Sequence, residues 1–235
     1  MPDLPAKQHI RHTSATVHGR FLVAPPAARP MPPRALWIVG FHGYAQNADV
    51  MLEPFAAMAP SDQWLTASVQ ALHPFYASRT QEVIANWMTS QDRELAIADN
   101  IGYINNVCDA LQREYGAPRV IVFAGFSQGV AMAYRAALAG ARPAAAIIAA
   151  GGDVPPEFTA ADSPHLQHVW PQVLAVTGTR DEWFTPERLA RDVAFLRTHQ
   201  PATRELVFDG GHEWSPALIA EARTLLAQIE ATAPA

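Results

Sequence analysis

From Leu36 onward, short apolar runs alternate with longer stretches whose apolar residues recur at helical spacing. Val120 to Ala124 is a continuous apolar run, rich in β-branched residues and bounded by Pro118 and Gly125. Such a run suits a strand buried on both faces, as in the middle of a parallel sheet. Similar runs predict strands over Leu36 to Phe41, Trp64 to Leu72, Ala144 to Ala149, Val173 to Thr177 and Glu205 to Phe208, with an earlier strand over Ala15 to Val23.

Between the strands, Asp49 to Ala59 predicts a helix with Met51, Leu52, Phe55 and Met58 on one face. Gln91 to Tyr115 predicts a long helix facing inward through Leu95, Ala98, Ile101, Cys108 and Leu111, and stopped by Gly116 and Pro118. Val130 to Leu138 is rich in Ala, Met and Leu and is stopped by Gly140. Thr185-Pro186 and Ser215-Pro216 each pair a capping hydroxyl with proline at the first helical position. The helices they start bury Leu189, Val193 and Leu196, and Leu218, Ala222, Leu225 and Ile229.

Residues Met1 to Thr13 read as a loose tail and Ala24 to Pro33 as a proline-rich loop. Ala77 to Ser90 carries no readable pattern beyond a conspicuous Trp87, and Asp153 to Trp170 reads as a loop excursion. The alternation predicts an α/β fold: one domain over residues 1–235 with a doubly wound, mostly parallel sheet flanked by helices. The excursion is too short for a large lid domain. In such sheets, functional groups gather at the carboxyl ends of the strands.

Composition adds exclusions. Hydrophobic residues make up 49% and charged residues 17%, so the chain can bury a core and has no disorder signature. The net charge of -5 comes with no basic cluster, which removes nucleic acid as a partner. No apolar run approaches a membrane span. The first twenty residues lack the apolar core of a signal peptide, so a cytoplasmic location is expected. The single cysteine, Cys108, falls at an apolar helix position and reads as a packing residue.

Candidate chemistry centres on Gly125-Phe126-Ser127-Gln128-Gly129, at the turn between a predicted strand and a predicted helix. A serine there sits in a sparsely allowed backbone conformation with its Oγ raised above the sheet. Side chains two residues to either side would collide with the turn, and glycine removes them. The backbone N–H of Gln128, at the helix N-terminus, can donate to a developing oxyanion.

A serine hydroxyl needs a base, and the base needs a group that orients it. Of nine histidines, His212 lies in Gly210-Gly211-His212-Glu213-Trp214, between the last strand and the last helix. His9, His12, His18, His165, His168 and His199 lie in the tail, in loops or at helix ends, and His73 precedes the serine. Asp181, after the Val173 to Thr177 strand, is the favoured acid because serine, acid, histidine is the chain order of this architecture. Asp209, Asp153 and the neighbouring Glu182 are its rivals. His42-Gly43-Tyr44 follows an early strand, where the second oxyanion donor, the Tyr44 N–H, is expected. His42 itself reads as a structural residue holding that loop. It has no partner at ligand spacing, so no metal site is expected.

FHGYAQN, AGFSQG, TGTRDEWF and GGHEWS, in this order, resemble the phospholipase/carboxylesterase family of α/β-hydrolases, which includes acyl-protein thioesterases and small bacterial carboxylesterases. The resemblance covers Leu36 to the C-terminus. It departs from the family where Val130 follows GFSQG and where Tyr44-Ala45-Gln46 follows the histidine-glycine pair. It implies an α/β-hydrolase fold with Ser127 as nucleophile, Asp181 as acid, His212 as base, and the amides of Tyr44 and Gln128 as oxyanion hole.

The activity so implied is a cofactor-free serine carboxylesterase, acting on small or medium acyl esters, thioesters among them, through an acyl-enzyme. Phe75, Trp87, Trp183 and Trp214 are expected to wall an apolar pocket, with Tyr76 and Phe184 beside them. The partner expected is a small-molecule ester, and a homodimer stays open. A catalytically silent binding module or an acyltransferase with the same three residues are the alternatives. A dienelactone-hydrolase-like enzyme would favour a cysteine where Ser127 stands.

Overall fold

A computed structural model describes residues 9–28, 30, 32, 34–167 and 169–234. His168 and parts of the expected tail and proline-rich loop lie outside the described residues.

The apolar runs become a seven-stranded sheet: β1 (Phe21–Ala24), β2 (Leu36–Phe41), β3 (Trp64–Val69), β6 (Ile121–Phe126), β7 (Ala146–Ala150), β8 (Gln172–Gly178) and β9 (Arg204–Phe208). Their order is β1-β3-β2-β6-β7-β8-β9. Only β1 runs antiparallel to its neighbour; the other pairings are parallel. A separate two-stranded antiparallel ribbon, β4 (His73–Tyr76) with β5 (Val83–Asn86), occupies much of the stretch without a readable pattern.

The continuous apolar runs are explained by burial on both faces. In β2, Trp37, Val39 and Phe41 enter one core while Leu36 and Ile38 enter the other. In β6, Ile121 and Phe123 face the first core, and Val122, Ala124 and Phe126 the second. Helices α2 (Arg93–Tyr115), α3 (Gln128–Leu138) and α5 (Pro186–His199) cover the first core. Helices α1 (Ala48–Ala56) and α6 (Pro216–Thr232) cover the second. The excursion after β7 holds only a one-turn helix, α4 (Pro156–Thr159), and a 3-10 turn (Pro164–Gln167), so no large extra domain is present among the described residues. No described helix is long and apolar enough to cross a membrane.

Several expectations need correction. The first strand begins at Phe21, because residues 11–20 are exposed throughout and offer no buried face. The third strand ends at Val69, after which the Gln70 side chain turns to accept the Ala48 N–H at 2.8 Å. The buried stripe of α2 is Asn100, Ile104, Val107, Cys108 and Leu111, while Leu95 is exposed. The stripe was misread because its first buried residue is polar. Asn100 donates through Nδ2 to the Trp87 carbonyl at 2.9 Å and to its own helix at Ala96 O. Cys108 is buried in the same stripe, and burial pushes its thiol up to about 11, which fits a packing residue.

Asn100 therefore pins the segment carrying Trp87 to α2. Asn100→Ala should cost about 1–3 kcal/mol, because the buried Trp87 carbonyl loses its partner. Urea unfolding at pH 7 measures this as a lowered midpoint with an unchanged slope.

Candidate active site

Ser127 joins β6 to α3 and holds φ 52° and ψ −119°, a left-handed conformation unusual for a residue with a side chain. Packing enforces it. A Cβ on Gly125 would lie 2.3 Å from Gly129 O, and one on Gly129 would lie 2.1 Å from Phe41 O on β2. Both glycines thus allow backbone to approach backbone, as the sequence predicts. The Ser127 N–H donates to Ala150 O on β7 at 2.8 Å, which ties the turn to the sheet.

His212 lies on the loop between β9 and α6, its ring centroid 4.9 Å from that of Phe126. Its Nδ1 donates to Asp181 Oδ2 at 2.8 Å, and Nε2 has no partner among the described residues. A Cβ on Gly151, next to the Ala150 that anchors Ser127, would come within 2.9 Å of His212 Cε1. Gly151 also has φ +68°, so both space and conformation require glycine there.

Asp181 is buried and held from several sides. Its Oδ1 accepts the Trp183 and Phe184 N–H groups, each at 2.9 Å, and the Thr177 hydroxyl stands 3.4 Å from Oδ2. The rivals are engaged elsewhere: Asp209 pairs with Arg180 at the surface, and Asp153 with Arg188 and Arg191. Among the described residues, the Ser127 hydroxyl makes no hydrogen bond; such bonds commonly tighten only with substrate in place.

The loop after β2 lies beside the serine, since a Cβ on Gly43 would be 3.2 Å from Ser127 Cβ. His42 is buried, donates from Nδ1 to Gly43 O at 2.7 Å, and accepts the Ala71 N–H on Nε2 at 3.0 Å. That pattern requires a neutral ring, and burial holds its pKa below the ordinary value of 6.5. Gln46 Oε1 accepts the Gly43 N–H at 2.7 Å. Among the described residues, the Tyr44 N–H has no acceptor. Gln128 is the first residue of α3, where an amide has no acceptor within the helix.

The β4–β5 ribbon and the residues just after it, unread in the sequence, hold both the Tyr44 loop and the start of α3. Ala45 donates to Ala85 O at 3.1 Å, Ala85 donates to Gln46 O at 2.8 Å, and Asn47 Nδ2 donates to Val83 O. The Gln128 side chain donates to Asn86 Oδ1 at 2.7 Å and to Met88 O, and accepts the Trp87 N–H. Asn86, Gln46 and the side-chain amide of Gln128 thus brace these loops, and sequence reasoning missed them. No periodicity marks them, because each acts through a single side-chain bond to a loop.

A cleft of about 530 Å³ opens at Ser127, bordered by Gln128, Gly151, Trp183 and Phe184 and reaching Met88, Arg93 and Arg135. Of the expected pocket aromatics, Trp183 borders the cleft and is 75% exposed. Trp87 is not a pocket wall: it is 0% exposed, and its indole donates to His42 O at 2.8 Å from inside the core. Trp214 packs edge-on against Phe55 and Phe126, behind the serine. Phe75 pairs with Tyr44, with centroids 6.1 Å apart, and does not border this cleft.

A mostly parallel sheet, a serine at a strained strand-to-helix turn and a histidine–aspartate pair on later loops define an α/β-hydrolase. The sequence profile of the Phospholipase/Carboxylesterase family matches residues 28–228. The chain belongs to that family, and is an esterase- or thioesterase-type serine hydrolase.

Three solved structures show the same fold. Esterase PE8 superposes with a TM-score of 0.69 at 20% identity, over 91% of this chain and 100% of that one. Acyl-protein thioesterase 2 from Zea mays has a TM-score of 0.69 at 16% identity, over 90% of this chain and 99% of that one. A phospholipase/carboxylesterase from Dyadobacter fermentans has a TM-score of 0.64 at 20% identity, over 91% of this chain and 99% of that one. No curated protein matches the sequence.

His42 gives a pH prediction. Its folded pKa is depressed, so the unfolded chain binds the proton more readily. The stability it contributes is complete above its unfolded pKa, about 6.5, and is lost as pH falls from there through the lower folded value. The urea midpoint should fall as pH drops from 7 toward 5, and less steeply in His42→Asn.

Proposed function

We propose that the chain hydrolyses small or medium acyl esters by two-step acyl transfer, with Ser127 as nucleophile, His212 as base and Asp181 as the acid orienting it. The observation that carries this is the 2.8 Å bond from His212 Nδ1 to the buried Asp181, on a loop packed against the strained turn of Ser127.

Ser127 Oγ attacks the ester carbonyl as His212 Nε2 takes its proton. The amides of Tyr44 and Gln128 receive the oxyanion; support comes from the missing acceptor at Tyr44 and from the position of Gln128 at a helix N-terminus. His212 then protonates the leaving alcohol or thiol, and water releases the acid by the reverse roles. Asp181, with Oδ1 held by backbone amides, keeps Oδ2 aimed at His212 and offsets the charge of its imidazolium. Five residues that follow four strands, β2, β6, β8 and β9, thereby act as one site.

Hydrolysis of p-nitrophenyl esters from acetate to laurate tests this. Ser127→Ala should lower kcat by several orders of magnitude, and Asp181→Asn by about 10³–10⁴-fold with little change in KM. Undiminished turnover in Ser127→Ala would mean another nucleophile. Absence of turnover on every ester would favour a silent binding module on a hydrolase scaffold.

A further inference from the structure

The far end of the cleft is not apolar. Ser127, Ala131 and Arg135 border it along one face of α3, and Met88, Thr89, Ser90 and Arg93 border it from the segment before and into α2. The Arg135 side chain is 1% exposed, which is rare for a charged group and requires compensation. Compensation is partial. Nε donates to Glu157 Oε1 at 2.7 Å, and Nη2 stands 2.6 Å from the same oxygen but off the hydrogen-bonding direction. Among the described residues, Nη1 meets only the thioethers of Met88 at 3.4 Å and Met132 at 3.7 Å.

Arg93 lies beside it with 43% of its side chain exposed. Its closest partners are the Met88 sulfur at 3.4 Å and Glu157 Oε2 at 3.8 Å, too far for a hydrogen bond. A guanidinium carries five N–H donors, so most of those on Arg93 have no acceptor among the described residues. One carboxylate, Glu157, thus faces two guanidiniums. The carboxylate that borders the cleft itself, Asp153, is neutralised by Arg188 and Arg191. A local surplus of positive charge remains, although the chain as a whole carries -5.

We propose that Arg93, backed by the buried Arg135, is an anion subsite, and that the ester hydrolysed carries a second carboxylate at the end of its acyl chain. This rests on the reading of Ser127 as nucleophile. The acyl side is chosen because the leaving group takes its proton from His212. The neighbours of His212 are Phe126, Gly151 and Asp181, whereas those of the arginines are Met88, Met132 and Glu157. The eight-residue step from Ser127 to Arg135 spans about 12 Å at the helical rise, which sets the upper reach of the chain.

In the reaction, Ser127 Oγ bonds to the carbonyl carbon, and collapse of the tetrahedral oxyanion then breaks the bond from that carbon to the alcohol oxygen. The alcohol leaves with the proton from His212. Water then cleaves the acyl-enzyme, and a dicarboxylate is released. Arg93 pairs with the remote carboxylate throughout, a bidentate contact that a lysine would not reproduce.

The test compares mono-p-nitrophenyl esters of succinic, adipic and suberic acid with the butyrate, hexanoate and octanoate esters. Binding of free adipate to the wild-type protein is measured in parallel by calorimetry. The expected result is a kcat/KM ratio favouring the carboxylated ester of matched length, carried in KM and reduced by salt. Arg93→Gln should lower that ratio about tenfold or more and weaken adipate binding, with Arg93→Lys intermediate. An arginine with only a structural role would change both esters alike and leave the ratio unmoved.

If neutral esters are cleaved but the ratio is one or less and adipate does not bind, the subsite is overturned and the esterase reading stands. If no ester is cleaved but adipate binds in an Arg93-dependent way, the subsite stands and the catalytic reading falls.

Discussion

The site depends on one backbone constraint: Ser127 at φ 52°, ψ −119° between a buried strand and a buried helix. A non-glycine residue there costs about 1–3 kcal/mol. It persists because β6 and α3 are over-determined by packing on β2 and β7, and because Gly125 and Gly129 let three backbone segments meet without a Cβ between them. The turn at Ser127 is followed directly by α3, whose first amide, at Gln128, has no acceptor within the helix. The same contact brings the loop after β2 beside the serine, so Ser127 and the Gly43-Tyr44 loop are positioned by a single junction.

Around that junction, polar bonds that do not belong to the sheet complete the geometry. The β4–β5 ribbon contributes no strand to the main sheet, yet it ties down the loop of Tyr44 and, through Asn86 and Met88, the side chain of Gln128. His42 works from beneath as a neutral crosslink between Gly43 and Ala71. The His42 bonds are buried in low dielectric, where a lost partner is costly, and with the part-buried Gln128 bonds they hold these loops at lower freedom than their lack of regular structure suggests.

The sheet was legible because each of its inner strands is buried on both faces, which writes an unbroken apolar run into β2, β6, β7 and β8. Chain order and turn glycines single out Ser127, Asp181 and His212 as candidates, and the structure joins His212 to Asp181. The ribbon was not legible: its strands are short, β4 is wholly exposed, and neither strand has an apolar alternation to read. The inner face of α2 was displaced because Asn100 stands where an apolar residue was expected. The aromatic pocket failed for a related reason. Composition shows that tryptophans are present, but only packing decides that Trp87 faces the core while Trp183 faces the cleft, and that arginines close the cleft's far end.

The central claim is that Ser127 is a nucleophile activated by His212. Reaction of the intact protein with a fluorophosphonate, followed by mass measurement and peptide mapping, addresses it most directly. The account predicts a single adduct on the peptide containing Ser127, with labelling slowed strongly when His212 is replaced by alanine. An adduct on another residue, or no adduct in a folded protein, would contradict it.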